Sequence, residues 1–150
     1  MIIKGRIFSI GTGRKVAFTS AERRMIVEYK FRAWEKLLKE IIPVHNIDFE
    51  SKIINTNGVW RMFHEVELMQ YIGLHDKNGV EIYRSDICQC FCFKDKAFQH
   101  EVVYQNGAFG YYIEHQGFIS FTENHNFKWK NRKSKFIKVV GNVFELEATK

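Results

Sequence analysis

Apolar and polar residues change places at short intervals along this chain. From Met25 to Glu35, Val27, Tyr29, Phe31 and Ala33 share one side of an extended backbone, and Glu28, Lys30 and Arg32 the other. That period of two predicts a strand covered on one face. The period then changes. Trp34, Leu37, Leu38 and Ile41 stand at i, i+3, i+4 and i+7 ahead of Pro43, which predicts at most one short helix near 34–42, a strand-to-strand loop being the competing reading. Ile2–Ile10, Val16–Thr19, Ile47–Ile54, Val59–Phe63 and Glu65–Ile72 read as further strands.

Asn-Gly pairs punctuate the runs at Asn57-Gly58, Asn78-Gly79 and Asn106-Gly107. Asn and Gly enter the positive-φ region at least steric cost, and with apolar residues on both sides each pair predicts a β-hairpin. Beyond Asp86 the chain is nearly all strand-like: Ile87–Phe93, Phe98–Tyr104, Ala108–Glu114, Phe118–Phe121 and Phe136–Glu145. Five short strands at this spacing predict a small SH3-like barrel.

Composition narrows the class. The chain has 150 residues, 45% hydrophobic and 15% aromatic with 14 Phe, and a single proline. That suffices for one core, or two small subdomains sharing one, and argues against disorder. No apolar run has transmembrane length, and Met1-Ile-Ile-Lys-Gly-Arg6 is too short for a signal sequence. Three cysteines packed between Cys88 and Cys92 make no disulfide framework, which points to a reducing, cytoplasmic location and no membrane. A net charge of +6 with pI near 9.2 is a weak pointer to an acidic partner.

Several separated stretches, in order, resemble one family. Lys30-Phe-Arg-Ala-Trp-Glu-Lys36, Leu68-Met-Gln-Tyr-Ile-Gly-Leu-His-Asp-Lys-Asn-Gly-Val-Glu-Ile-Tyr83, Ser85-Asp-Ile87 and Val140-Gly-Asn-Val-Phe-Glu145 are similar to the YopX family of phages, prophages and bacterial mobile elements, over residues 28 to 146. The resemblance implies a mostly β protein, with a bent antiparallel sheet in the N-terminal half and an SH3-like barrel in the C-terminal half. It carries over no activity, catalytic residue or cofactor. Residues 1–24 precede the family's usual start and are read as an extension, 25–84 as the bent sheet and 85–150 as the barrel, in one compact unit. Leu37–Ile42 replaces a polar turn, and Ser85 stands where the family commonly has Gly.

The chemistry-bearing residues are few. Gly11-Thr-Gly-Arg-Lys15 lacks the spacing of a phosphate-binding loop and reads as a turn. Cys88, Cys90 and Cys92 share one face of a strand, but alternate residues lie roughly 6.5–7 Å apart, too far to converge on one zinc ion with bonds of about 2.3 Å. They read as small buried residues. His45, His64, His75, His100, His115 and His125 make no ligand motif, although His115 and His125 lie in a polar stretch where they could meet. Asp48, Glu50, Glu65, Glu67, Asp76, Glu81 and Asp86 are scattered over turns and strand ends, with Asp86 expected to accept backbone N–H bonds. No catalytic, metal or cofactor residue is predicted.

The strongest binding candidate is the segment 127–138. Lys128, Lys130, Arg132, Lys133, Lys135 and Lys138 alternate with Phe127, Trp129 and Phe136. Cations neutralise phosphates and exposed rings stack on unpaired bases. If residues 127–131 extend, Phe127 and Trp129 face one way and Lys128 and Lys130 the other. The competing reading is a solvated loop whose rings pack back onto the barrel. The leading expectation is therefore an accessory protein that acts by binding a phage or host protein, or itself, rather than by catalysis. The alternative is a nucleic-acid-binding module using Lys128, Trp129, Lys130, Arg132, Lys133 and Lys135.

Overall fold

The computed structural model describes residues 6–8, 15–17, 28–93 and 96–150. The connection expected at 11–15, most of the expected extension, the turn at 94–96 and the side chain of Cys92 lie largely or wholly outside the described residues. Strands β1 (Arg6–Phe8) and β2 (Lys15–Ala17) pair antiparallel, Ile7 opposite Val16.

The fold is mostly β, as the alternating runs predict. In the N-terminal half, β3 (Phe31–Glu35) lies between β4 (Glu40–Pro43) and the long β8 (Val66–His75), with β9 (Glu81–Tyr83) at the far edge. Strands β5 (Asn46–Asp48), β6 (Ile53–Thr56) and β7 (Val59–Met62) form a second sheet. The two share a core of Ala33, Ile42, Ile54 and Val66. The expected run Ile47–Ile54 is divided by a turn in which the Asp48 carboxylate accepts N–H bonds from Glu50 and Ser51, both 2.9 Å.

The helix expected near 34–42 is a hairpin. Trp34 faces Ile41 across it, and Leu37 and Leu38 stand exposed at its tip. Lys39 takes φ +56°, its N–H bonding to Glu35 O at 2.8 Å, while the Glu35 carboxylate accepts from Leu38 N–H. The i, i+3, i+4, i+7 spacing puts Trp34 and Ile41 on one side in either conformation, and the hairpin pairs them directly. Only a neighbour covering Leu37 and Leu38 would have favoured the helix, since most helical stability comes from burying such a stripe.

The C-terminal half is a curled half-barrel. Strand β10 (Asp86–Phe93) lies between β11 (Lys96–Glu101) and β15 (Ile137–Asn142); β13 (Ala108–Ile113) lies between β12 (Val103–Gln105) and β14 (Gly117–Ser120). Val102 breaks the expected strand 98–104 where the chain passes from one sheet to the other. Gly110 permits the close approach of β14, since a Cβ there would lie 2.1 Å from Ile119 O. The core contains Cys88, Cys90, Val102, Tyr111, Phe121, Phe127 and Ile137, with Ile82 reaching in from β9. Phe136–Glu145 is not one strand: after β15, Asn142 caps the short helix α1 (Val143–Ala148), accepting from Glu145 N–H at 2.9 Å.

The junction between the halves is tied by side chains. Asp86, fully buried, accepts from Tyr83 N–H at 2.9 Å and from the Arg32 guanidinium, which lies 4.3 Å from the Tyr83 ring centre. Asp76, also fully buried, accepts from Asn78 N–H (2.8 Å), Val80 N–H (2.9 Å) and Val139 N–H (3.0 Å), fastening the β8–β9 turn to β15.

Candidate nucleic-acid interface

The segment between β14 and β15 is held by its aromatic residues. Asn124 caps a 3-10 turn, His125–Phe127, and Lys128 follows at φ +46°. The chain is therefore not extended at 127–131. Phe127 is 1% exposed and packs against Tyr111, Phe121 and Trp129. The Trp129 indole N–H donates to Phe121 O at 2.8 Å. Burial stabilises each ring by about 1.5–3 kcal/mol, comparable to the ~1–3 kcal/mol of one stacked base. Withdrawing either ring would gain nothing and would break the indole bond, so both belong to the core.

What this leaves outside is charge. Lys130 and Lys133 close a tight turn through two backbone bonds of 2.9 and 3.0 Å, with Asn131 and Arg132 both at positive φ. The turn abuts the end of β8, where His75 N–H donates to Arg132 O at 2.8 Å and Ser134 N–H to His75 O at 3.3 Å. Lys128, Lys130, Arg132, Lys133 and Lys135 are exposed, and Lys138 is half-buried.

Lys77, more than fifty residues earlier, belongs to the same face. Its N–H donates to Ile137 O at 2.9 Å, and its ammonium lies 5.0 Å from the Phe91 ring centre. Phe91 N–H in turn donates to Phe136 O at 2.8 Å, and the ammoniums of Lys128 and Lys135 lie 5.9 and 5.3 Å from the Phe136 ring centre. Sequence reading missed Lys77 because only the packing of the β8–β9 turn on β15 brings it here.

The electrostatics of this face are one-sided. Among the described residues Lys77, Lys128, Lys130, Lys133, Lys135 and Lys138 make no ion pair. Between Glu114 and Glu145 the sequence holds a single acid, Glu123. These six lysines and Arg132 carry more than the whole net charge of +6, so the remainder of the chain is slightly acidic. Charge segregated this way attracts polyanions over a distance of about 8–10 Å at physiological salt.

The other candidates resolve differently. Cys88 and Cys90 are free thiols in the barrel core, and burial pushes the Cys88 thiol far up. Among the described residues no three His, Cys, Asp or Glu side chains are grouped to hold a metal ion. Asp86 caps as expected and has an ion pair besides. Desolvation pushes its carboxyl up to about 6 against the opposing pull of Arg32, with Glu145 adding to the rise. Burial works to raise Glu81 too, but bonds from Lys30 and Tyr83 outweigh it and hold that carboxyl below its ordinary value. A shallow cavity of about 510 Å³ lies beside the stacked Trp34 and Phe144, rimmed by Lys36, Lys39 and Glu67. No helix among the described residues is long and apolar enough to cross a membrane.

Phe49, Trp60 and Met62 are large apolar side chains left exposed, 67%, 54% and 54%. In the pairing of β6 with β7, Trp60 opposes Asn55 and Met62 opposes Ile53, which puts both on the face away from buried Ile54. The free edge of β7 is blunted. Trp60 O accepts from the Arg61 guanidinium at 3.1 Å, and Met62 N–H donates to the Glu65 carboxylate at 2.7 Å.

The family profile described as YopX protein matches residues 30–146. The crystal structure of protein EF1440 from Enterococcus faecalis is similar, with a TM-score of 0.59 at 23% sequence identity over 83% of this chain and 99% of that one. At that identity the likeness concerns the fold alone. A search of curated proteins finds no match. With most of its length matched, the chain belongs to the YopX family.

Proposed function

We propose that this YopX-family protein is a phage or prophage accessory protein of the bacterial cytoplasm that acts by binding rather than turnover, docking on nucleic acid through the basic face. The observation that supports this most is the segregation of charge: Lys77, Lys128, Lys130, Arg132, Lys133 and Lys135 gather around one turn, the lysines making no carboxylate pair among the described residues, and together they equal the whole net charge of +6. Each ammonium that meets a phosphate releases condensed counterions, so attraction of this kind is strong at low salt and fades as salt rises. Replacing Lys128, Lys130, Arg132 and Lys133 together by Ala, with the circular dichroism spectrum unchanged, is expected to abolish a salt-sensitive mobility shift of DNA or RNA. An unchanged shift, or none from the wild-type protein, contradicts the proposal.

The exposed Phe49, Trp60 and Met62 favour a second reading, contact with a protein partner or a second copy. The capping of β7 argues for face-to-face contact rather than strand addition. Light scattering at several concentrations, comparing wild type with Trp60→Ser, tests self-association. A wild-type monomer throughout contradicts it.

A further inference from the structure

On the reading of the basic face as a nucleic-acid interface, we infer that its partner is duplex nucleic acid, held through backbone phosphates and not through its bases. Proteins that hold single strands without sequence preference stack bases on aromatic platforms. Here every ring of the segment is otherwise engaged. Phe127 and Trp129 are committed to the core. The rings nearest the surface, Phe91 and Phe136, carry the ammoniums of Lys77, Lys128 and Lys135 at 5.0–5.9 Å from their centres. These rings seat the cations, narrowing where each ammonium sits, and the cations hold the place a base would need.

What the face does present is a closed turn, Lys130–Lys133, flanked by Lys77, Lys128 and Lys135. The turn is held by paired backbone bonds within itself and by His75 from β8. A turn of fixed backbone that carries cations, flanked by ammoniums seated on rings, matches a partner whose own charges are fixed and dense. A duplex carries one negative charge per ~1.7 Å of axis, denser and stiffer than a single strand or an acidic peptide. Lysine contacts to phosphate position a protein without reading sequence, so the binding is indifferent to base composition.

The test uses the full chain and fluorescence anisotropy with four labelled probes: duplex DNA, duplex RNA, a single DNA strand of the same sequence, and polyglutamate. Both duplexes, or one of them, are expected to bind more tightly than the single strand, and duplexes of unrelated sequence equally. With six phosphate contacts, duplex affinity falls about 10³-fold between 50 and 200 mM salt. Phe91→Leu, at a half-exposed position, releases the Lys77 ammonium from its ring and is expected to weaken binding about 2- to 5-fold, the worth of one exposed cation–π contact, whereas loss of a stacking ring would weaken it up to about 150-fold. Single-strand binding as tight as duplex, or a large Phe91→Leu effect, overturns the duplex assignment and leaves the nucleic-acid reading standing. Equal binding of polyglutamate, or no binding to any nucleic acid, overturns both.

Discussion

Asp86 offers a test of the junction in which two opposing effects have a definite winner. The carboxyl is fully buried, which disfavours its ionised form, while the Arg32 guanidinium and Tyr83 N–H favour it. Desolvation prevails, and the carboxyl rises from 3.8 to about 6. A folded-state value above the unfolded one means that the folded protein binds the extra proton between these two limits. The Asp86 contribution to stability is therefore greatest below about pH 4 and is lost as pH rises through 6. At about 1.36 kcal/mol per unit the swing is about 3 kcal/mol. Asp86→Asn keeps the shape and removes the titration. Urea unfolding of both proteins from pH 4 to pH 8 yields the wild-type-minus-variant difference, in which every other titrating group cancels to first order. That difference is expected to fall by about 2.4 kcal/mol from pH 4 to pH 8, the rest of the swing lying below pH 4. A flat difference would refute the burial argument, and one that rises with pH would show that the Arg32 ion pair outweighs desolvation.

Two further substitutions probe the backbone. Ser85 sits at φ +69°, held by Val102 O and by Val143 N–H at 2.8 and 2.9 Å. Ser85→Gly relieves the Cβ strain and is expected to stabilise by about 0.5–1 kcal/mol, read as a rise of ~1–4 °C in melting temperature; no gain would mean that the side chain compensates. Gly110→Ala drives a methyl to 2.1 Å from Ile119 O, and is expected to cost more than about 2 kcal/mol of unfolding free energy in urea.

Local chemistry made much of this fold legible. Asn57-Gly58 and Asn106-Gly107 take positive φ where their turns need it, and the strands on either side pair as expected. The helix expected at 34–42 shows the limit of periodicity. Trp34 and Ile41 would share one face of a helix and also pair across a hairpin, and what decides is whether anything covers Leu37 and Leu38. The helix at 143–148 did leave a signal, Asn142 with Glu145 three residues on, which the apolar run around it obscured.

The basic face was half legible. Alternation at 127–130 separated the cations from the rings, and the structure keeps that separation by a 3-10 turn instead of a strand. Sequence left open whether the rings were exposed, because only three-dimensional packing shows that Phe121 and Tyr111 are there to receive them. The bond from Lys77 to Ile137 and the Arg32–Asp86 pair could not be found at all, since each joins residues more than fifty positions apart.

The central claim is where a nucleic acid sits, and amide chemical-shift perturbation in ¹⁵N-labelled protein titrated with a short DNA duplex addresses it most directly. The account predicts shifts concentrated at residues 76–79, 91 and 127–138, disappearing as salt is raised. Shifts centred on Phe49, Trp60 and Met62, or on Trp34 and Phe144, with residues 127–138 silent, would contradict it.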